Sequence, residues 1–374
     1  MRVLVIKTAG LGYDGLTKVV LNLLNFFPKG NYVFDSVVIR EPTKEYRDAF
    51  ESKGGRVYIL ERSFRNLFKY LIELSALIKR EKYDVVHAHG NSRTLCFEMM
   101  AAKMAGCKIR IAHCHNTSCT HKIAHYLLTP FFFSSYTVGF ACSKQAGRWL
   151  FGHKAFKIVN NAIVLDRFRF SFEDRKKTKE LFGFEDDCVV LGQVGSLTER
   201  KNPFFSLELL KRLLMKGLNY KLVFVGDGML RDRLEASARS LGLSESVFIT
   251  GYVQNVNDFL NGLDVLLFPS VYEGFGIAAL EAEANGLPVL CSENIPNDVK
   301  IAADVYFLNL NSISDWERLI PLLDLSKRAE KSSEAINKLA SNGYSLPNVC
   351  SELASFFNAE CRKVGYGDIK SAEE

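Results

Sequence analysis

The stretch DVLLFPSVYEGFGIAALEAEANGLPVLCS, residues 264–292, joins two apolar runs through a glycine-rich turn and a helix-forming segment. Apolar runs without polar alternation are typical of strands buried on both faces of a parallel sheet. The turn at Gly274 and Gly276 leads into the helix, whose first backbone N–H groups have no partner within the helix. Such a helix start favours phosphate groups, and a diphosphate fits it.

Two carboxylates flank this turn. Glu273 stands at the turn, and Glu281 follows roughly two helical turns later on the same side. One carboxylate can bind sugar hydroxyls and the other ribose hydroxyls. A surface turn with two solvated glutamates is the alternative interpretation, but it leaves the glycines between the two acids unexplained.

The same alternation of short apolar runs and longer amphipathic stretches continues through the chain. The runs are RVLVIK, VFDSVVIR, RVYIL, DVVHAH and KIRIAH in the first half and CVVLGQV, YKLVFVG, SVFITG and DVLLFPS in the second. The sequence therefore predicts an α/β fold made of two Rossmann-like, doubly wound domains. Ligands of such folds bind beyond the carboxyl ends of the strands, so two domains facing each other would share one cleft.

The length of 374 residues also favours two domains of comparable size. A charged stretch from Asp166 to Lys179 suggests the junction between them. We therefore expect one domain over residues 1–166 and a second over residues 180–345. A C-terminal helix over residues 346–374 is expected to pack back on the first domain.

Charge is distributed unevenly between the two halves. Residues 1–165 carry 24 Lys and Arg against 11 Asp and Glu, whereas residues 166–374 carry 24 against 31. Nucleic acid, an anionic membrane surface or a phosphorylated acceptor would each fit the basic half, as would a basic surface without a dedicated partner. The basic amphipathic segment Arg62 to Arg80 could lie on anionic lipid or simply cover the sheet.

Cysteine usage and hydropathy favour a cytoplasmic protein. The nine cysteines are scattered and form no CxxC pair, which argues against a disulfide framework. The longest apolar run, Tyr126 to Cys142, is interrupted by Pro130 and is shorter than the roughly 20 apolar residues needed to cross a bilayer.

A second glycine-rich turn supports an alternative function. Gly10, Gly12 and Gly15 match the GxGxxG pattern between a strand and a helix, and Asp35 follows at a distance suited to a ribose contact. This pattern would indicate an NAD-dependent oxidoreductase. However, Asp35 falls early in the second apolar run, where a ribose-binding acid is not expected.

The segment around Glu273 resembles the GT-B glycosyltransferases of family 4, whose signature is a Glu-x7-Glu pair in an EGFG-type segment followed by GxP. The resemblance extends from the N-terminus to about residue 310 and is closest to bacterial capsule and exopolysaccharide members. Further matching stretches are VVHAHGN (85–91), IAHCHNTS (111–118), ACS (141–143), FG (151–152), VNNA (159–162), VGSLTERKNP (194–203), VGDG (225–228) and GYV (251–253).

The resemblance implies roles for individual residues. Glu273, Lys201 and His115 would be catalytic: Glu273 holds the donor sugar, Lys201 the diphosphate, and His115 faces the sugar. The donor-binding residues would be Glu281 on the ribose, with Gly274, Phe275, Gly276, Arg200, Ser196, Gly228, Val253 and Asn161. Gly12 and Gly15 would lie on the acceptor side. The family usually has Arg where Ser196 stands, so Arg200 would have to supply the second cation, and commonly Gly where Ala162 stands.

Six of the seven histidines fall within residues 87–125, close to Cys114 and Cys119. Zinc is an alternative interpretation of this group, because imidazole and thiolate are its usual ligands. Strand alternation, however, places His113 and His115 on one face and Cys114 on the other. We therefore expect no metal site and no cofactor.

The sequence thus predicts a retaining glycosyltransferase of the hexosyltransferase type. Its donor would be a nucleotide-sugar, most simply a UDP-sugar, bound by the C-terminal domain. The acceptor, a glycan or lipid-diphosphate-linked sugar in polysaccharide biosynthesis, would bind the N-terminal domain. We expect peripheral contact with the inner face of the cytoplasmic membrane and no nucleic-acid partner. The NAD-dependent oxidoreductase and a binding protein without catalysis remain as alternatives.

Overall fold

The computed structural model describes residues 1–8, 15–63, 65–185, 187–302 and 304–365. It divides into two compact units. The first consists of Met1–Ala162 together with the chain from Ser345 onward, and the second of Ile163–Tyr344.

The first unit is built on a parallel sheet. Its strands are β1 (Arg2–Lys7), β2 (Val33–Val38), β3 (Val57–Ile59), β4 (Val85–Gly90), β5 (Ile109–Cys114), β6 (Val138–Ala141) and β7 (Lys157–Ile158). Among the described residues the spatial order is β3-β2-β1-β4-β5-β6-β7, and every neighbouring pair is parallel. The central strands β1 and β4 are buried along nearly their whole length, including Lys7 on β1 and the two histidines of β4.

Helices connect these strands. They are α1 (Gly15–Phe26), α2 (Lys44–Glu51), α3 (Leu67–Glu81), α4 (Cys96–Met104), α5 (Lys122–Leu127), α6 (Thr129–Ser135) and α7 (Lys144–Phe151). Local signals set several of their starts. The hydroxyl of Ser143 accepts a hydrogen bond from the amide of Ala146 and caps α7, and α6 begins with Pro130 in its first turn.

The second unit repeats this plan. Its strands are β8 (Val189–Val194), β9 (Tyr220–Val225), β10 (Val247–Ile249), β11 (Val265–Phe268), β12 (Val289–Ser292) and β13 (Val305–Leu308). Its helices are α8 (Phe172–Phe182), α9 (Pro203–Met215), α10 (Arg231–Ser240), α11 (Val256–Gly262), α12 (Ile277–Ala284), α13 (Ile313–Leu319) and α14 (Arg328–Ser341). Within the described ranges the strand order is β10-β9-β8-β11-β12-β13, again with parallel pairing.

The segment expected to be a junction, residues 166–179, belongs to the second unit. Most of α8 lies in it, and α8 packs against α11, where the hydroxyl of Thr178 donates to the carbonyl of Asp258 at 2.8 Å. The guanidinium of Arg175 also pairs with Asp264 at 2.6 Å, next to the start of β11. The boundary between the units falls instead between Ala162 and Ile163.

The last helix, α15 (Leu346–Lys363), is part of the first unit. The ring of Phe357 stacks on Phe27 with centroids 5.8 Å apart, and the hydroxyl of Tyr32 donates to Asn358 at 3.1 Å. Within the part of the chain that the structure describes, no helix combines the length and the apolar character needed to cross a bilayer.

The two sheets confirm the predicted α/β class with two doubly wound domains. In the first sheet the strand order reverses between β1 and β4, and in the second between β8 and β11. Such reversals open a crevice beyond the carboxyl ends of the strands, which is where these folds bind ligands.

Candidate active site

The reversal point of the second unit brings two loops together. One follows β8 and contains Arg200 and Lys201, and the other follows β11 and contains Glu273. A backbone hydrogen bond joins the loops, because the amide of Val271 donates to the carbonyl of Arg200 at 2.8 Å. Residues separated by more than 70 positions in sequence therefore share one site.

Glu273 forms an ion pair with each of two cations. Its Oε2 lies 2.6 Å from Nη1 of Arg200, and its Oε1 lies 2.8 Å from Nζ of Lys201. Burial by itself would raise the pKa of Glu273, but the charges of Lys201 and Arg200 outweigh it and hold that pKa below the usual value. The carboxylate is therefore ionised at neutral pH, and the three side chains together carry one net positive charge.

The position of Lys201 is fixed by its surroundings. Its backbone carbonyl accepts a hydrogen bond from the side-chain Nε2 of Gln193 at 2.6 Å. The Oε1 of Gln193 in turn accepts a hydrogen bond from the hydroxyl of Ser206 at 2.7 Å. Its Nζ lies over the ring of Phe268, 4.5 Å from the centroid. Gly195 has a φ of +135°, a conformation that favours glycine. A Cβ at this position would lie only 3.0 Å from the side chain of Lys201, so the absence of a Cβ leaves room for the lysine.

The glycine-rich turn leads directly into α12, as the sequence predicts. Gly276 precedes the helix with a φ of +109°, a conformation that favours glycine, and a Cβ there would lie 3.0 Å from the ring of Phe268. Gly274 is buried. Phe275 is only 2 % exposed and its ring stacks on Tyr344 with centroids 5.4 Å apart, so its side chain belongs to the core of the second unit.

Glu281 is the fifth residue of α12 and is 2 % exposed. It lies one helical turn from the helix start, because the residues between Glu273 and Ile277 form a turn and not helix. Glu283, two residues later, has a structural role, since its carboxylate accepts hydrogen bonds from the amides of Ile301 and Ala302. The two neighbouring glutamates of this helix are thus not equivalent.

The remaining donor-side residues of the second unit lie on loops after β8, β9 and β10. Ser196 and Gly228 are on adjacent loops, joined by a hydrogen bond from the amide of Leu197 to the carbonyl of Asp227 at 2.9 Å. A Cβ on Gly228 would lie 2.4 Å from the carbonyl oxygen of Leu197, so the close approach requires glycine. Val253 is half-buried on the loop after β10. Among the described residues, no hydrogen bond links it to the group around Glu273.

In the first unit, His115 and Asn161 meet at the carboxyl edge of the sheet. His115 directly follows β5, and its Nδ1 lies 3.3 Å from Oδ1 of Asn161, which follows β7. Its Nε2 lies 2.9 Å from Nδ1 of His89, and its amide donates to the side chain of Asn91. Burial lowers the pKa of His115 to about 4, although the Asn161 contact opposes this shift, so the ring is neutral at pH 7.

His115 also belongs to a group of four imidazoles, and sequence reasoning, which placed His113 and His115 on one face, missed their pairing with His87 and His89. His87 and His89 lie on one face of β4, and His87 Nε2 is 3.0 Å from Nδ1 of His113 on β5. Burial lowers the pKa values of His87, His89 and His113, so these rings are neutral too. The repeated His-x-His pattern in two consecutive strands was the signal, because alternation places each pair on one face.

The acceptor-side glycines are described only in part. Gly12 lies outside the described residues, and Gly15 is the exposed first residue of α1. Just behind it, the buried side chain of Lys7 contacts the hydroxyl of Thr17.

Asp35, the acid of the oxidoreductase alternative, is the third residue of β2 and is buried. Its carboxylate accepts hydrogen bonds from the amide of Arg56, the guanidinium of Arg2 and the hydroxyl of Tyr83, at 2.7, 2.8 and 2.5 Å. These contacts join β2 to the chain before β3 and β4. The carboxylate of Asp35 therefore has a structural role. It does not occupy the end of the strand, where an oxidoreductase would need it to bind a ribose.

Two protein-family models match the chain. Residues 13–167 match the model described as Glycosyltransferase Family 4, and residues 174–352 match Glycosyl transferases group 1. Together the two models cover most of both units, and neither match points to an oxidoreductase.

Individual relatives and solved structures are consistent with these matches. The putative glycosyltransferase EpsF of Bacillus subtilis (strain 168) is 28 % identical over 371 residues, which is 95 % of this chain and 96 % of EpsF. The UDP-Gal:alpha-D-GlcNAc-diphosphoundecaprenol alpha-1,3-galactosyltransferase of Escherichia coli is 26 % identical, over 89 % of this chain and 90 % of its own.

Among solved structures, Anabaena Alr3699/HepE in complex with UDP and glucose superposes with a TM-score of 0.78. That match covers 96 % of this chain and 100 % of the other, at 16 % identity, which supports the fold alone. WaaG, a glycosyltransferase involved in lipopolysaccharide biosynthesis, superposes with a TM-score of 0.71 at 18 % identity, over 96 % of this chain and 99 % of WaaG. The two doubly wound sheets and both family matches lead to one conclusion: this chain belongs to the group 1, family 4 glycosyltransferases of the GT-B fold.

Proposed function

We propose that this glycosyltransferase moves a hexose from a UDP-sugar, with retention of anomeric configuration, to a glycan or lipid-diphosphate-linked acceptor in polysaccharide biosynthesis. The observation that carries the proposal is the group formed by Glu273, Arg200 and Lys201 at the glycine-rich turn before α12. A carboxylate suited to sugar hydroxyls and two cations suited to a diphosphate meet at the reversal point of one sheet.

The chemistry requires stabilisation of the leaving group. When a glycosyl–diphosphate bond breaks, negative charge accumulates on the diphosphate oxygens. In our proposal Lys201 and Arg200 turn from Glu273 to these oxygens, and the backbone N–H groups at the start of α12 add to the stabilisation. Arg200 thereby replaces the cation that the family usually carries where Ser196 stands. No acid and no metal ion is assigned a step.

Glu273 has two successive roles in this proposal. Before the donor binds, it neutralises part of the charge of Arg200 and Lys201, whose ammonium and guanidinium groups lie within 2.8 Å of it. Once the diphosphate takes over these cations, the carboxylate becomes available to the hydroxyls of the donor sugar. Glu281 binds the ribose hydroxyls, and in the first unit His115 contacts a sugar hydroxyl.

Three observations on other proteins and on the chain support the finer points. The name of the Escherichia coli relative describes transfer of galactose from UDP-Gal to a diphosphoundecaprenol-linked sugar, and Alr3699/HepE was crystallised with UDP.

All nine cysteines of this chain are free thiols, which fits the cytoplasmic localisation that we propose. Retention of configuration is tested by proton NMR of the anomeric centre in the first product formed.

A thermal-shift panel of UDP, GDP, ADP and NAD tests the donor assignment. A ligand at ~100 times its Kd stabilises the folded protein by about 2.7 kcal/mol, so UDP should raise the melting temperature and NAD should not. Glu281→Ala should abolish the UDP shift. Glu330→Ala is the matched control, since Glu330 is an exposed glutamate on α14, and it should keep the shift.

The same panel separates the alternatives. Stabilisation by NAD without any by UDP would establish the oxidoreductase interpretation. If UDP binds but no UDP-sugar is hydrolysed or transferred to any acceptor, the chain is a binding protein.

A further inference from the structure

Four histidines of the first unit form what we term the histidine quartet: His87, His89, His113 and His115. Within each strand the neighbouring rings lie 4.0–4.1 Å apart, and between the strands they lie 5.1–5.2 Å apart. The first three are at most 3 % exposed, whereas His115 is at the partly exposed edge of the sheet. The quartet thus runs from the interior of the sheet to its partly exposed carboxyl edge.

The hydrogen bonds of His115 determine which of its nitrogens carries the proton. Oδ1 of Asn161 can only accept, so the Nδ1 of His115, at 3.3 Å, is the donor. In a neutral ring the Nε2 of His115 is then an acceptor, and it must receive its hydrogen bond from Nδ1–H of His89 at 2.9 Å. The contact with Asn161 gives the direction, and the contact with His89 is compatible with it when Nδ1 of His89 is the donor.

These two bonds differ in length and therefore in strength. The contact with Asn161 is the longer, at 3.3 Å, and the contact with His89 lies at an optimal distance. A substrate oxygen can replace Asn161 at Nδ1 without disturbing the bond to His89. His89 itself is fixed at the end of β4, because its carbonyl accepts from both the amide and the hydroxyl of Thr8.

We infer that His89 is a positioning residue, which holds His115 in the Nδ1–H tautomer so that this ring donates a hydrogen bond to a substrate hydroxyl. The inference rests on the proposed function, because the substrate contact of His115 belongs to it. Without the donor from His89, the proton of His115 can move to Nε2, and Nδ1 then becomes an acceptor. The ring would also lose the contact that fixes its orientation.

A metal site is the rival interpretation of the quartet. Ring nitrogens of His87, His89 and His113 lie within 4.8 Å of one another, and neutral imidazoles are metal ligands. This group contains no carboxylate, however, and the buried cation of Lys7 acts on His89, lowering its pKa further. A dication there would be buried among neutral ligands beside a positive charge, which is electrostatically unfavourable.

The experiment compares substitutions at His89 with the same substitutions at His87 in the full-length protein. His87 is equally buried on the same face of β4, but its hydrogen bond goes to His113 and not to His115. His89→Leu removes the donor, whereas His89→Asn places an amide N–H near the position of Nδ1. The primary readout is the ring nitrogen spectrum of His115 by two-bond 15N–1H NMR, which distinguishes the two tautomers.

We expect the Nδ1–H tautomer in the unmodified protein, a mixture in His89→Leu, and recovery in His89→Asn. Transfer kcat/KM should fall about tenfold in His89→Leu, the effect of one lost hydrogen bond, and recover in His89→Asn. His87→Leu should leave the tautomer of His115 unchanged and kcat/KM within about twofold. Melting curves establish that each variant is folded, and His89→Ala, which removes the same donor, carries the test if His89→Leu is not folded.

Three results would overturn the inference. An unchanged His115 tautomer in His89→Leu would show that His89 does not impose it. Equal effects of His87→Leu and His89→Leu on tautomer and kcat/KM would indicate a packing role. Stoichiometric zinc, retained through dialysis and lost in His113→Ala, would establish the metal site instead. Separately, full transfer activity in His115→Ala would refute the proposed role of His115 in the reaction. The tautomer of His115 in the His89 variants could still be measured and would still test the inference about His89.

Discussion

At the scale of single residues, Glu273 is held by the two cations that our proposal assigns to the diphosphate of the donor. Its carboxylate pairs with Arg200 at 2.6 Å and with Lys201 at 2.8 Å. A diphosphate offers these cations more negative charge than one carboxylate does, so donor binding can displace Glu273 from them. The arrangement predicts opposite effects on nucleotide binding when the carboxylate and the lysine are changed.

Glu273→Gln removes the competitor of the diphosphate and leaves both cations in place. We therefore expect UDP to bind Glu273→Gln at least as tightly as it binds the unmodified protein, and Lys201→Ala more weakly. Sugar transfer should fall by about 10- to 100-fold in Glu273→Gln, because a hydrogen bond from a sugar hydroxyl to a charged group is weakened. Calorimetric titration with UDP and a transfer assay measure the two effects. Loss of UDP binding in Glu273→Gln as large as in Lys201→Ala would contradict the account.

The sequence predicted Glu273, Lys201 and Arg200 as site residues, but it did not predict the ion pairs between them. Local pattern identifies a glycine-rich turn with an acid beside it, because the turn and the helix start are neighbours in the chain. The pairing of Glu273 with Arg200 spans 73 positions and depends on the strand order of the sheet, which hydrophobic periodicity does not contain. By contrast, alternation placed His113 and His115 on one face of β5, and the same argument applied to β4 would have paired His87 with His89.

At the scale of secondary-structure elements, α5 and α6 present an apolar surface that the sequence did not single out. We define the α5–α6 patch as Lys122, Ile123, Tyr126, Leu127 and Phe131, all of which are exposed. Ile123 is 79 % and Leu127 71 % exposed. Between Met99 and Leu165 the sequence contains no Asp or Glu, so the surroundings of the patch attract anionic surfaces.

We expect this patch to dock the protein peripherally on anionic lipid. Burying an exposed Leu or Ile gains about 1.5–3 kcal/mol, so Ile123→Glu with Leu127→Glu should weaken binding by at least ~100-fold. Co-sedimentation with vesicles of phosphatidylglycerol and phosphatidylcholine measures it, with pure phosphatidylcholine for comparison. Met215→Glu, an equally exposed apolar residue on α9, is the control and should bind normally. Equal binding by the double variant and the control would refute docking through this patch.

From the sequence, the segment from Arg62 to Arg80 was a candidate either for lying on anionic lipid or for simply covering the sheet. Most of it forms α3, whose apolar face with Tyr70, Leu74 and Leu77 is buried, although Phe68 and Ile72 remain exposed. The apolar run that was rejected as a membrane span, Tyr126 to Cys142, includes α6 but only the end of α5. Periodicity measures how apolar residues are arranged on one helix, but exposure depends on which neighbours cover them.

At the scale of the whole molecule, the alternation of strands and helices was sufficient to predict two doubly wound domains. The boundary was less predictable. The charged segment near residues 166–179 looks like a linker by composition, yet α8 is fixed in the second unit by its packing on α11 and by the pair of Arg175 with Asp264. Charge marks the solvent-exposed face of a helix, and it does not reveal whether the opposite face is packed.

The central claim is that the second unit holds a nucleoside diphosphate sugar at the turn before α12. A crystal structure of the protein with UDP tests this claim most directly. We expect the diphosphate within hydrogen-bond distance of the backbone amides between Gly274 and Gly276, Lys201 shifted from Glu273 to the phosphates, and the ribose hydroxyls on Glu281. UDP bound elsewhere, with the pair of Glu273 and Lys201 intact and Glu281 without contact to the ribose, would contradict the account.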